Sequence, residues 1–372
     1  MDFTEINLRK IEKHFADGCK NPDDGFFIGV EIEHFVIGQD DGHAAGFDEV
    51  EALLHEIEDN FPDKTYQYQG RLVALANADY SITLEPACQF EISIAPQKDL
   101  NDLERIYQGF YQLLLPGLEK RKLKLEACGY HPTTPNSRLE LIPKRRYEIM
   151  DKYFRDKGTL GRFMMRSTCS TQVSIDYFSE EDFARKFKAL YRISPKAAMY
   201  FNNSRVADDF LEEAGIKQVT GNENMRYLIW QKTDVDRVDL SKYVDVNHPK
   251  FADYARFIYY TPLMVDISSG EEQYTEQCAA EVYKDREVTE KDINHIISMV
   301  FPIIRLKNFL EVRFADSMPI DRSMEFTAFI KGLFIKLDSL YNYLDNNGAI
   351  VFEDLKKIAE ENLSISERHY LC

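Results

Sequence analysis

Residues Phe27–Gly38 read FIGVEIEHFVIG. Taken as a strand with a period of two, this stretch sets Ile28, Val30, Ile32 and Val36 on one face and Gly29, Glu31 and Glu33 on the other. Two carboxylates side by side above an apolar face make a poor core and a good seat for a divalent cation. An isolated E-x-E pair is ordinarily a solvated outer face, so the reading depends on whether the chain repeats the design.

It does so three times. In SITLEPACQFEISIAP, Phe90, Ile92 and Ile94 alternate with Gln89, Glu91 and Ser93; Glu85 shares their parity but precedes Pro86, which marks a bulge or an edge. In Thr168–Tyr177, Thr168, Ser170, Gln172, Ser174 and Asp176 share one face. In Asn308–Ala315, Glu311 and Arg313 lie opposite Leu310, Val312 and Phe314. Strands that hide one face and show a polar one predict an α+β fold, an antiparallel sheet with helices on its back. If the polar faces converge, one surface holds Glu31, Glu33, Glu85, Glu91, Glu311, Gln89, Gln172 and Arg313. Such a cluster repels itself unless cations compensate, and Mg²⁺ sharing its shell with phosphate oxygens fits that need. An arginine two residues from a metal-binding glutamate reaches a phosphate, so the pattern points to ATP chemistry without a glycine-rich phosphate loop.

Apolar spacing predicts helices over residues 5–16, 48–58 (capped by Asp48), 100–124 (broken or kinked at Pro116), from Ser179 onward (interrupted at Pro195), 289–304, 326–344 and 351–363. Residues 66–94 read as a β meander and 128–146 as a long loop, a candidate lid. The loop runs into PKRRYEIMDKYF, where Lys144, Arg145 and Arg146 read as a solvated helix start. Asn202–Arg205 is turn-like, and residues 206–248 are polar and mixed around the single tryptophan, Trp230. With no repeat and no linker, the chain reads as one catalytic domain, 1–372.

The charge is -17, from 46 Lys+Arg against 63 Asp+Glu, which excludes a general nucleic-acid binder. No apolar run approaches the ~20 residues that cross a bilayer. MDFTEINLRKIEKHF lacks a signal peptide's apolar core, and the six cysteines stand singly, so the expected setting is reduced and cytoplasmic. Cys88 and Cys169 read as packing residues.

The ordered set GVEIEHFVIG, LEPACQFEIS, PKRRYEIM, MMRSTCSTQVSIDY, IWQKTDVDR and RLKNFLEVRFAD resembles the glutamate–cysteine ligase family in its plant and proteobacterial branch. The resemblance implies a glutamine-synthetase-like curved antiparallel sheet forming a funnel. It implies that ATP phosphorylates the γ-carboxylate of glutamate and that the amine of cysteine attacks the acyl phosphate. The product would be γ-glutamylcysteine, the first step towards glutathione or a related thiol. On the matching positions, Glu31, Glu33, Glu85, Glu91 and Glu311 are metal ligands for two or more Mg²⁺, and Arg313 with Glu311 is catalytic. Gln89, Gln172, Arg146, Trp230, Arg237 and Arg313 are substrate or ATP contacts. The partners implied are small molecules, with no nucleic acid and no membrane, and the assembly a monomer or homodimer. A different amine acceptor and a non-catalytic nucleotide- or glutamate-binding relative stand as alternatives. Ala87 and Cys88 replace two glycines of the family pattern, Ser174 an asparagine and Phe314 a glycine.

Overall fold

The computed structural model describes residues 2–67, 70–157, 159–204, 212–215 and 224–371. Its strands in chain order are β1 (Ile28–Gly38), β2 (Asp63–Gln67), β3 (Arg71–Ala76), β4 (Tyr80–Leu84), β5 (Phe90–Gln97), β6 (Leu123–Glu126), β7 (Ser170–Ile175), β8 (Val265–Asp266), β9 (Gln273–Tyr274), β10 (Ile304–Leu306) and β11 (Leu310–Asp316). Strands β8 and β9 form a small separate hairpin. The others make one antiparallel sheet in the order β10-β11-β7-β1-β5-β4-β3-β2, and β6 pairs with the far half of β1. The expected meander is β2 to β5, taken in order.

The apolar faces lie behind the sheet. Ile28, Val30 and Ile32 of β1 and Val173 and Ile175 of β7 are buried there. A helix over Ile320–Phe334 packs on β1 and β7, and it is buried on all sides from Ser323 to Phe334. Helix Leu100–Arg121 covers β5 and β6, and helix Glu180–Tyr200 covers β11. Burying each large aliphatic or aromatic side chain contributes roughly 1.5–3 kcal/mol, so this back layer holds the sheet while its front stays polar.

Two prolines do not end their helices. Helix Leu100–Arg121 runs through Pro116, where both Pro116 and the exposed Gln112, four residues earlier, face water that can satisfy the freed carbonyl. Helix Glu180–Tyr200 runs through Pro195. Its missing N–H is replaced locally, because the Ser194 hydroxyl donates to the Tyr191 carbonyl at 3.1 Å. The expected helix 289–304 is shorter, Glu290–Ile297 capped by Thr289, and Ile304 onward is strand. The C-terminal helices number three, Ile320–Phe334, Leu337–Asn346 and Phe352–Asn362. Helix Phe47–Ile57 is capped at Gly46, whose N–H donates to Glu49, in place of Asp48. Of the turn at 202–205 and the stretch 206–248, residues 205–211 and 216–223 lie outside the described residues.

His34 continues the apolar face of β1, fully buried, with Nδ1 at 3.2 Å from the Phe90 carbonyl and Nε2 at 2.9 Å from the Tyr107 hydroxyl. A carbonyl only accepts, so Nδ1 carries the proton and Nε2 accepts from tyrosine. Burial pulls the ring's pKa from 6.5 down to about 4. A depressed histidine contributes stability that is complete above pH 6.5 and is lost as the pH falls towards 4, about 3 kcal/mol in all. The sign is opposite for Glu33, which burial and Glu85 raise from 4.5 to about 7. Chemical denaturation of the wild type and His34→Gln at pH 7, 5.5 and 4 should therefore show a wild-type loss that the variant lacks. Parallel pH profiles would contradict this reading of His34.

Candidate active site

Antiparallel register decides which side chains meet, because directly paired residues point to the same face. Glu33 pairs with Glu91, Glu31 with both Ser93 and Gln172, and Glu311 with Ser174. The polar faces of β1, β5, β7 and β11 therefore form one surface. Glu85 joins them from the β4–β5 turn, which is closed by Glu85 N–H to Gln89 O at 2.9 Å and Cys88 N–H to Glu85 O at 3.1 Å.

The surface is the floor of a cavity of about 510 Å³. Of the expected site residues, Glu31, Glu33, Glu85, Gln89, Glu91, Arg146, Gln172, Trp230 and Arg313 line it. Two do not. Arg237 is fully buried behind the wall, where it pairs with Asp234 at 3.0 Å, so its expected substrate contact is corrected to an internal ion pair. Glu311 is also fully buried and does not line the cavity. Its oxygens accept from Arg305 Nε at 2.7 Å, Arg305 Nη2 at 3.1 Å, Lys307 Nζ at 2.8 Å and Arg313 Nη1 at 2.7 Å. Burial disfavours its ionisation, but the three cations outweigh that and hold it well below the usual carboxylate range. Protein cations thus compensate Glu311, the charge expected to meet a metal directly.

The glutamines are structural joints as much as lining. Gln89 accepts from Ala87 N–H at 2.7 Å and donates to the carbonyls of Met165, Arg166 and Thr168, fixing the turn before β7. Gln172 donates to Glu33 at 2.9 Å and accepts from Arg313. Glu33 also accepts from the Ser170 N–H at 2.7 Å and hydroxyl at 3.0 Å. A continuous chain Glu33–Gln172–Arg313–Glu311 crosses the floor.

The other carboxylates are left in conflict. Burial and then Glu311 raise Glu31, burial and then Glu31 raise Glu91 well above the ordinary range, and no described residue donates a hydrogen bond to the side chain of Glu31 or Glu85. Among the described residues no three His, Cys, Asp or Glu side chains stand close enough to form a metal's ligand set by themselves. Mg²⁺ commonly takes one or two carboxylates with phosphate oxygens and water, so these hard, underpartnered oxygens fit it in pairs.

Several cavity-lining residues are not singled out by the sequence. Arg226, Arg305, Lys307, Lys144 and Glu272 line the cavity, and Lys144 and Arg146 are not a solvated helix start. Only Arg145 of that trio is exposed. Arg305 and Lys307 sit on the three-residue strand β10 and just after it; their alternation with Ile304 and Leu306 before Asn308 was the available signal. Lys144, Arg146 and Arg226 have no carboxylate within ion-pair distance among the described residues. Burial lowers the Lys144 amine against the pull of Glu85. The guanidiniums of Arg226 and Arg313 each lie 5.1 Å from the centre of the Trp230 ring. Arg226 Nε, Arg313 Nε and Trp230 Nε1 have no hydrogen-bond partner although buried. These nitrogens have essentially no accessible surface, and Arg237 Nη2 behind the wall is likewise without a partner. It is the cationic lining of Lys144, Arg146 and Arg226 that suits an anionic ligand.

The 128–146 loop, the candidate lid, is hydrogen-bonded to the body of the protein, and of its residues only Lys144 and Arg146 line the cavity. Asn136 donates to Ser167 Oγ at 2.7 Å, Arg166 to Leu139 O at 2.7 Å, and Ile142 N–H to Pro86 O at 2.9 Å. The departures from the family pattern leave the cavity untouched, since Ala87, Cys88, Ser174 and Phe314 do not line it. Cys88 stands at φ 67°, a left-handed conformation natural to glycine, and its thiol is buried in the core with its pKa pushed up to about 12. Phe314 packs edge-on against Phe326, with ring centres 5.5 Å apart.

Comparison with known proteins finds a match to the family described as glutamate–cysteine ligase family 2 (GCS2) over residues 27–341. The chain is 30% identical over 352 residues to a chloroplastic glutamate–cysteine ligase of Medicago truncatula, covering 91% of this chain and 67% of that protein. It is 29% identical over 344 residues to the chloroplastic enzyme of Arabidopsis thaliana, covering 89% of this chain and 63% of the relative. The chain thus spans about two thirds of the length of these plant proteins. Among solved structures, a glutamate–cysteine ligase of Francisella tularensis in complex with AMP matches the fold with a TM-score of 0.57 at 11% identity, covering 93% of this chain and 80% of that one.

With Mn²⁺ as a spectroscopic stand-in for Mg²⁺, Glu31→Gln and Glu85→Gln should each weaken binding by about tenfold or more, ~1.4 kcal/mol. Electron paramagnetic resonance titration measures it. Affinities equal to wild type in both variants would remove these carboxylates from the metal site.

Proposed function

The chain belongs to glutamate–cysteine ligase family 2, and from that premise we propose that it joins the γ-carboxylate of L-glutamate to the amine of L-cysteine at the expense of ATP, through γ-glutamyl phosphate. The observation that carries this reading is one cavity lined both by Lys144, Arg146 and Arg226, which have no carboxylate within ion-pair distance among the described residues, and by Glu31 and Glu85, whose side chains accept no hydrogen bond from a described residue. A site built that way accepts anionic substrates together with a hard cation. The antiparallel sheet is proposed to curve into a glutamine-synthetase-like funnel with this cavity at its floor.

The division of labour follows from which cations are already engaged. Arg305, Lys307 and Arg313 are held on Glu311 before any substrate arrives, so charge building on the transferring phosphoryl group meets donors that need no reorganisation. Lys144, Arg146 and Arg226 have no carboxylate partner among the described residues and are the cations proposed to take carboxylate and phosphate oxygens, with Arg146 also donating to Ser298 and Arg226 to the Arg313 carbonyl. Glu31, Glu33, Glu85 and Glu91 are the metal-facing set, and Glu311 anchors cations. Mg²⁺, when bound, supplies charge neutralisation on the phosphate oxygens. Met150, Met164, Met165 and Phe301 give the cavity an apolar side that limits water, which an acyl phosphate requires. No protein nucleophile is needed, and the buried thiols of Cys88 and Cys169 supply none.

The methionines favour a second reading of the acceptor alone. Three flexible thioethers re-pack around side chains of different shape, so a small apolar amine in place of cysteine fits the same machinery.

Purified protein with ATP, Mg²⁺, glutamate and cysteine should release ADP and form a product with the mass of γ-glutamylcysteine. Turnover with another amine only would keep the chemistry and change the substrate. ATP binding without turnover under any acceptor would overturn the proposal.

A further inference from the structure

The sequence IWQKTDVDR places Trp230, Asp234 and Arg237 close together in the chain, yet only Trp230 reaches the cavity. Arg237 is among the largest side chains fully buried in the molecule. A guanidinium so placed has to be explained by what it holds. Its Nε donates to Asp234 Oδ2 at 3.0 Å, which also accepts from the Tyr153 hydroxyl at 2.9 Å. Its plane lies over the Tyr153 ring at 4.7 Å. Its Nη1 donates to the Met299 carbonyl at 2.9 Å, and its own carbonyl accepts the Phe301 N–H at 2.9 Å.

Arg237 thus grips the segment after helix Glu290–Ile297 twice, by side chain and by backbone, on either side of Val300. The two ends of the gripped segment face the cavity. Ser298 receives Arg146 Nη2 on its hydroxyl at 2.9 Å and on its carbonyl at 3.3 Å. Phe301 meets the edge of Trp230 at 5.8 Å and 85°. No other described contact ties residues 299–301 back to the Trp230–Arg237 segment by hydrogen bonds.

We infer that Arg237, paired with Asp234, is a positioning residue that fixes the 298–301 wall and thereby the placement of Arg146 and Trp230 for substrate. The inference rests on the ligase reading for its kinetic consequence but not for its structural one. The buried pair is costly to assemble, and its return is orientation. A displacement of about 1 Å at a substrate-holding group costs up to ~10²-fold in rate. Lysine cannot replace the fork, because one ammonium cannot serve Asp234 and Met299 in the planar geometry that arginine offers.

The test uses the only tryptophan as a reporter of the wall. Arg237→Lys, and the double variant Asp234→Asn/Arg237→Met, which removes both charges together, are compared with the wild type. Far-UV circular dichroism and the unfolding temperature establish that each is folded. The expected result is a red-shifted Trp230 emission with several-fold stronger acrylamide quenching in both variants. Methylguanidinium should reverse the shift in the double variant but not in Arg237→Lys, where the lysine side chain occupies the space. Kinetically, KM should rise more than kcat falls, by about tenfold in Arg237→Lys and up to ~10²-fold in the double variant. Wild-type emission and quenching in both folded variants would overturn the inference, as would loss of substrate binding with the Trp230 signal unchanged, which would mean direct contact. If the wild type proves inactive, the ligase reading fails while the fluorescence comparison still decides this one.

Discussion

One buried carboxylate sets the terms for the site. Glu311 has no exposure and accepts from Arg305, Lys307 and Arg313, so a single negative charge organises three positive ones. Removing water from a lone carboxylate is expensive, and the pairing is stable because each oxygen is satisfied by charged donors. The surplus positive charge faces the cavity, and through Gln172 it is tied to Glu33. The acidic side of the floor, Glu31, Glu33, Glu85 and Glu91, forms no direct ion pair among the described residues, although the same arginines and Lys307 act on it from a distance. That asymmetry, engaged cations on one side and underpartnered carboxylates on the other, is what a substrate anion with its divalent cation would bridge.

The sheet makes this juxtaposition possible. Four strands that are distant in sequence become neighbours, and antiparallel pairing brings residues of equal parity to the same face. The apolar faces are held from behind by the Ile320–Phe334 helix, which is buried on all sides and so leaves the sheet little freedom to shift register. The left-handed Cys88 closes the turn that presents Glu85. A β-carbon there costs of order 1 kcal/mol, offset by burial of the thiol in the core.

The strands carrying the acidic floor were legible because their charges alternate with β-branched and aromatic residues. Glu31, Glu33, Glu91 and Gln172 could each be placed on the polar face of its own strand, but that these faces form one surface is decided by the pairing of the strands. What stayed illegible depended on tertiary partners. Nothing local distinguishes Glu311, which is submerged under cations, from Glu31, which faces the cavity. Arg305 and Lys307 lie on and beside a strand of three residues that follows a helix-like pattern, too short for its period to register. Arg226 and Lys144 sit in segments without periodicity, and only their neighbours in space give them a role. Arg237 belongs to a motif that sequence associates with the site, but its contacts place it behind the wall. Pro195 stays within its helix because the Ser194 hydroxyl takes over the bond to the Tyr191 carbonyl, a contact that exists only in the folded chain.

We propose that this floor activates a carboxylate by phosphorylation. The most direct measurement supplies glutamate labelled with ¹⁸O in its γ-carboxylate, together with ATP, Mg²⁺ and cysteine, and determines the mass of the inorganic phosphate released. In the proposed path a γ-carboxylate oxygen bridges to phosphorus and leaves with it when the amine attacks. One ¹⁸O should appear in the phosphate for each amide bond formed. Ligated product accompanied by unlabelled phosphate would contradict it.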